Sequence, residues 1–169
     1  TGKIPGGLAM ATVWACAAFG AVCGSSPATA ATMATVGLPE MKRYGYGDEL
    51  AAGSVASGGS LGMLMPPSVV LIVYGIMTGH SIGKLFMAGI IPALLITICF
   101  MGVIFLYATR HPEQGPQGES FSFKEKMASL KGLGETMAVF VLGMGGLFLG
   151  WFTPTEAGGV GAFGTLVVT

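Results

Sequence analysis

The apolar positions of this chain fall into long runs separated by short polar or Gly- and Pro-rich patches. The first run, about Gly7 to Cys23, would measure about 25 Å as a helix, just short of a bilayer core of ~30 Å. Gly24-Ser25-Ser26-Pro27 interrupts it, and the next apolar stretch, Ala28 to Leu38, would reach only about 16 Å. A segment that short does not cross alone. The economical reading is a re-entrant helical hairpin with its tip at Gly24 to Pro27, Pro27 suiting the first turn of the returning helix. After the polar patch Glu40 to Glu49, the stretch Leu50 to Met77 is interrupted by Ser57-Gly58-Gly59-Ser60-Leu61-Gly62 and by Pro66-Pro67-Ser68, which predicts a broken membrane helix. Proline lacks an N–H and disfavours helix just before it, so Pro66-Pro67 should free carbonyls that need other partners in a membrane. Thr78 to Ser81 form a turn, and Leu85 to Tyr107 is the cleanest spanning helix. Arg110 to Lys131 is polar, with Pro112, Gly115, Pro116 and Gly118 marking a loop and Phe121 to Leu133 a possible surface helix. The last apolar region, from Met137 on, is broken at Gly150 to Glu156 and predicts two crossings, the second truncated.

Composition supports this reading. Of 169 residues, 52% are hydrophobic and 9% charged, where a soluble domain carries about 25% charged residues. The formal net charge is zero, so the chain lacks the basic patch that nucleic-acid binding requires. Many of the 29 glycines lie inside apolar runs, where small residues let membrane helices approach closely. Cys16, Cys23 and Cys99 lie in apolar stretches without C-x-x-C spacing or a nearby His, and read as small buried hydrophobes. The chain starts at Thr1 and stops within an apolar run, so it is expected to be a piece of something longer. Lys3, Lys42, Arg43, Arg110, Lys124, Lys126 and Lys131 fall on one side of this topology and Lys84 on the other, which makes the first side cytoplasmic.

Ser25 and Ser26 at the tip, Thr29 and Thr32 beside them and the break at Gly58 to Gly62 supply hydroxyl and carbonyl oxygens at membrane depth, the ligands that hard cations take. Broken helices in secondary transporters place helix N-termini against anions and unwound carbonyls against coupling ions. Taken singly, each Ser or Thr is equally a local backbone bond or a helix joint; the two breaks together favour function. Gly58-x-Ser60-x-Gly62 matches the hydrolase elbow only in letters, without the strand, helix and acid–base partners it needs. Gly79-x-x-x-Gly83-Lys84 is one residue short of a phosphate loop and lacks the following Ser or Thr. Thr153-Pro154-Thr155-Glu156 reads as a helix start, with Thr153 as N-cap and Glu156 as a capping carboxylate, a direct transport role being the alternative. Asp48 and Glu49 complement the dipole of the helix they open.

Three spaced motifs, Gly24 to Ala30, Gly58 to Ser68 and Phe152 to Ala157, together resemble the large membrane subunit of the tripartite ATP-independent periplasmic (TRAP) transporters, the DctM-like permeases. The resemblance implies an all-α integral membrane fold: a re-entrant helical hairpin plus broken and continuous transmembrane helices, the first inverted repeat of an elevator-type transporter. Residues 1–47 would be the hairpin and polar loop, 48–109 the broken and continuous helices, 110–134 a cytoplasmic loop, and 135–169 the truncated start of a second repeat. It further implies a multi-pass, non-enzymatic permease of the bacterial inner membrane. Such a permease imports organic anions such as C4-dicarboxylates or sialic acid with sodium as coupling ion, alongside a small membrane subunit and a periplasmic substrate-binding protein. Carried onto this sequence, it puts sodium between Ser25 and Ser26 and Gly58, Gly59, Ser60 and Gly62, with Thr29 and Pro67 near the substrate path. A channel or an assembly subunit without its own transport cycle is the alternative, and an intramembrane hydrolase using Ser60 a third class.

Overall fold

A computed structural model describes residues 4–116 and 134–168. Every element in that part is helical: α1 (Gly7–Cys23), α2 (Ser26–Arg43), α3 (Asp48–Ser60), a 3-10 turn (Leu61–Met63), α4 (Val69–Thr78), α5 (Ile82–Arg110), α6 (Gly134–Phe148) and α7 (Pro154–Val168). The surface helix expected over Phe121 to Leu133 lies outside the described residues.

α1 has the expected bounds and stops at Gly24, whose φ of 66° is the left-handed conformation that glycine adopts at least cost. Ser25 is extended, and α2 starts at once with Pro27 in its first turn. The two arms are antiparallel: a side-chain carbon at Gly37, late in α2, would stand 3.2 Å from Thr12, early in α1. The second arm is longer than the apolar pattern predicts. It runs 18 residues, through Pro39 to Arg43, because proline inside a helix removes one bond without having to end it. The polar patch supplies the last turn, with Glu40 and Arg43 paired at 3.9 Å. At about 27 Å this arm matches α1, so arm length does not set how deep the hairpin reaches.

The second correction concerns the break. Ser57-Gly58-Gly59-Ser60 is not unwound; α3 runs through it to Ser60, and the interruption falls from Leu61 to Ser68. Those glycines are helical and serve close approach instead. A Cβ at Gly58 would meet Cys16 Sγ at 2.9 Å, one at Gly59 would meet Ala30 Cβ at 2.6 Å, and one at Gly20 would meet Gly62 Cα at 2.7 Å. Past the 3-10 turn, the Leu61 carbonyl accepts from the Leu64 and Met65 N–H groups at 3.0 and 2.9 Å. Ser68 caps α4 by accepting from the Leu71 N–H at 3.4 Å.

α4 turns at Gly79 into α5, 29 residues long and, among the described residues, the one helix long and apolar enough to cross a membrane. It passes through Pro92 without stopping. Its far end is tied to both ends of the hairpin: the Gly6 N–H donates to the Gly115 carbonyl at 3.1 Å and the Gly47 N–H to the Gln114 carbonyl at 3.0 Å. The buried core, including Val13, Ala17, Met41, Leu50, Val55 and Ile104, lies among α1, α2, α3 and α5. α6 and α7 form a separate hairpin through Gly150, also left-handed with φ 76°. Each has 15 residues, about 22 Å, so the two expected crossings are both shorter than a bilayer core.

Candidate functional site

The α1–α2 tip meets the interruption after α3, where the ends of α1, α2, α3 and the 3-10 turn converge. The Ser26 hydroxyl donates to the Ser60 carbonyl at 3.0 Å and accepts from the Met63 N–H at 3.1 Å. Helix geometry explains both: Ser60 ends α3, and Met63 lies in the 3-10 turn where the α-helical i→i+4 ladder gives way. Val69 donates to the Gly24 carbonyl at 3.5 Å, and a Cβ at Gly24 would stand 2.8 Å from the Pro67 carbonyl oxygen. Tip and interruption therefore approach closely at Gly24 with Pro67 and at Ser25 with Gly62.

Of the residues singled out in the sequence, Ser25, Ser26, Ser60 and Gly62 come together here. The Ser25 carbonyl accepts from the Thr29 N–H at 3.0 Å and from the Thr29 hydroxyl at 2.8 Å, while the Ser25 side chain makes no capping bond. The Ser60 hydroxyl donates to the Ser57 carbonyl at 2.6 Å. Thr29 is fully buried, and a Cβ on Gly62 would lie 2.6 Å from its hydroxyl oxygen. Thr29 thus seats the 3-10 turn on the hairpin, and Pro67 presents its carbonyl to Gly24. Gly58 and Gly59 stand apart from the others, packed in the helix against Cys16 and Ala30.

The oxygens gathered here are neutral hydroxyls and carbonyls. Among the described residues no cluster of His, Cys, Asp or Glu could hold a metal ion, so this chemistry suits a weakly held hard cation rather than a transition metal. Around Ser60 the backbone is α-helix passing into a 3-10 turn, not the strand-to-helix elbow of a hydrolase. Three contributors carry no marking in the site reading of the sequence: the Gly24 carbonyl, the Met63 N–H and Ser68, whose hydroxyl donates to the Met63 carbonyl. A serine directly after Pro66-Pro67 and before Val69-Val70-Leu71 is an N-cap pattern, so Ser68 was within reach of sequence reasoning.

At the second tip, Thr153 and Glu156 form a reciprocal capping box. The Thr153 N–H and hydroxyl both donate to Glu156 Oε2, at 2.8 and 2.9 Å, and the Glu156 N–H donates back to Thr153 Oγ1 at 3.3 Å. The capping reading of Glu156 accounts for its geometry.

The family profile described as the tripartite ATP-independent periplasmic transporter, DctM component, matches residues 1–169. The C4-dicarboxylate TRAP transporter large permease protein DctM of Pseudomonas aeruginosa is 42% identical, over 95% of this chain and 37% of that protein. An isethionate TRAP transporter permease protein of Oleidesulfovibrio alaskensis is 36% identical, over 99% of this chain and 26% of its own length. An ectoine/5-hydroxyectoine TRAP transporter large permease protein of Ruegeria pomeroyi is 36% identical, over 92% and 36%. The chain thus spans between 26% and 37% of the length of these relatives.

Proposed function

This chain belongs to the family of DctM components of tripartite ATP-independent periplasmic transporters, and from that membership we infer that it carries an ion-coupling segment of a large permease. The complete protein imports organic acids across the bacterial inner membrane, driven by sodium, with a small membrane subunit and a periplasmic binding protein as partners. The observation that carries this reading is the Ser26 hydroxyl bridging the Ser60 carbonyl and the Met63 N–H. It joins a hairpin tip to an interrupted helix through neutral oxygens, the arrangement by which such carriers hold a coupling ion. Sodium sits among Ser25, Ser26, Ser60 and Gly62, and Thr29 and Pro67 border the substrate path.

The hairpin is re-entrant in this reading, and the register of α5 supports it. At one end Ala108 packs on Gly6, and at the other Gly89 faces the Leu64 carbonyl and Pro66 of the interruption. The interruption that the tip meets therefore lies level with about Gly89, leaving roughly 10 Å of α5 beyond it. Lys42, Arg43 and Arg110 share the opposite, cytoplasmic end. Relatives named for C4-dicarboxylates, isethionate and ectoine are similar across this same segment, which fits shared coupling machinery, with substrate choice made elsewhere.

The test is uptake of a labelled C4-dicarboxylate into vesicles holding the full complex, with and without a sodium gradient and the binding protein. Uptake should require both. Flux that persists without either points to a channel and defeats the proposal.

A further inference from the structure

A groove of about 480 Å³ opens between α3 and α5, walled by Leu50, Gly53 and Ser57 on one side and Phe100, Val103 and Tyr107 on the other, with Glu49 at its end. Its floor is apolar in effect. The Ser57 hydroxyl donates to the Gly53 carbonyl at 2.7 Å and the Ser54 hydroxyl to the Ala51 carbonyl at 2.9 Å, so neither reaches for a ligand. Nothing lies within 4 Å of where a Gly53 Cβ would stand. From Phe100 to Tyr107 the groove follows α5 for about 10 Å. Its aliphatic and aromatic walls suit an extended methylene chain.

Its polar end carries charges of both signs. Glu49 is exposed in the first turn of α3, and Arg110 is exposed three residues beyond Tyr107 on the same side of α5. Neither forms an ion pair among the described residues, although neighbouring Asp48 pairs with Lys42 at 3.2 Å. A carboxylate and a guanidinium at one end of an apolar slot complement an ammonium and a phosphate joined to an acyl chain.

We propose that this groove is an aminophospholipid site: one acyl chain lies between α3 and α5, the phosphate on Arg110 and the ammonium on Glu49. The proposal rests on the membrane reading above. A lipid with phosphate but no ammonium would leave Glu49 facing like charge, so the site discriminates between headgroups.

The full permease complex, reconstituted in vesicles of phosphatidylethanolamine and phosphatidylglycerol and re-extracted, would be examined by native mass spectrometry for retained lipid. Gly53→Leu, which fills the slot, should lose one bound phosphatidylethanolamine, and Val103→Trp repeats the test from the opposite wall should that variant fold poorly. Glu49→Gln should lower the preference for phosphatidylethanolamine over phosphatidylglycerol about tenfold, and Arg110→Gln should weaken retention of both lipids about tenfold. An unchanged lipid count in the filled groove, or an unchanged preference in Glu49→Gln, overturns the site, as does a helix of the full-length permease found in its place. Wild-type uptake in the same vesicles tests the transport reading independently of the lipid count.

Discussion

Ser26 shows how one hydroxyl can serve structure and binding together. Its two bonds, to the Ser60 carbonyl and from the Met63 N–H, hold the tip against the interruption. Ser26→Ala should therefore cost about 1 kcal/mol of stability and raise the sodium concentration for half-maximal uptake; an unchanged sodium dependence would remove the tip from the ion site. Glu156 is the opposite case, since its Oε2 accepts both the N–H and the hydroxyl of Thr153 as a cap. Glu156→Gln, which can still cap, should leave sodium dependence as it is, whereas Glu156→Ala should lower the unfolding temperature. A loss of uptake in the glutamine variant with stability unchanged would assign Glu156 to transport. Tyr46 is a third kind of residue: its buried phenol oxygen accepts from the Leu8 N–H at 3.0 Å and caps α1 from across the chain, where Gly6 offers no side chain. Burial pushes that phenol up from its usual value. The neutral form is the one favoured in the fold, so its contribution is complete below about pH 10 and fades as pH rises through the raised value. Tyr46→Phe should cost about 1 kcal/mol at neutral pH, and the gap to wild type should narrow in alkali, as thermal unfolding against pH would show.

Among the elements, those set by apolar length were legible and those set by contact were not. α1, the α4–α5 turn and the long helix follow directly from the runs in the sequence. The glycine-rich stretch misled because glycine has two uses with the same spelling: it unwinds a helix at a cost of about 1 kcal/mol relative to Ala, or stays helical where a neighbour's backbone comes too near for any Cβ. Which applies depends on Cys16, Ala30 and Thr29, distant in the chain. Pro39 misled likewise, since a single proline can sit inside a helix whose other bonds are kept. The tip-to-interruption contact was readable in outline from Ser25, Ser26 and Ser60, but the Met63 N–H has no sequence mark. Gly62→Ala should therefore destabilise by about 1–3 kcal/mol through collision with Thr29, whereas Gly102→Ala, with nothing within 4 Å, should stabilise α5 by about 0.5–1 kcal/mol. Equal effects in a thermal-unfolding comparison of the two would mean that close packing at the tip is not what fixes Gly62.

For the molecule as a whole, the arrangement predicts a definite sidedness. Lys42→Cys and His111→Cys should react with a membrane-impermeant maleimide from one face of sealed vesicles, and His80→Cys, at the α4–α5 turn, from the other. Pro27→Cys, at the tip, should stay unreactive from the face that exposes His80 until the transport cycle opens it. Labelling of Pro27→Cys and His80→Cys together at rest would show a hairpin that crosses fully. The clasp that ties Gly6 to Gly115 and Gly47 to Gln114 also has a bearing on how the chain is made. The two sides of its ties are separated by about 110 and about 70 residues of synthesis, which at ribosomal speed is roughly 3–22 s. During that interval the α1–α2 arms exist without the strap that closes their open end. The hairpin should accordingly settle late, after α5 has emerged, and ribosome-bound chains stopped short of Gln114 should show it still open to protease.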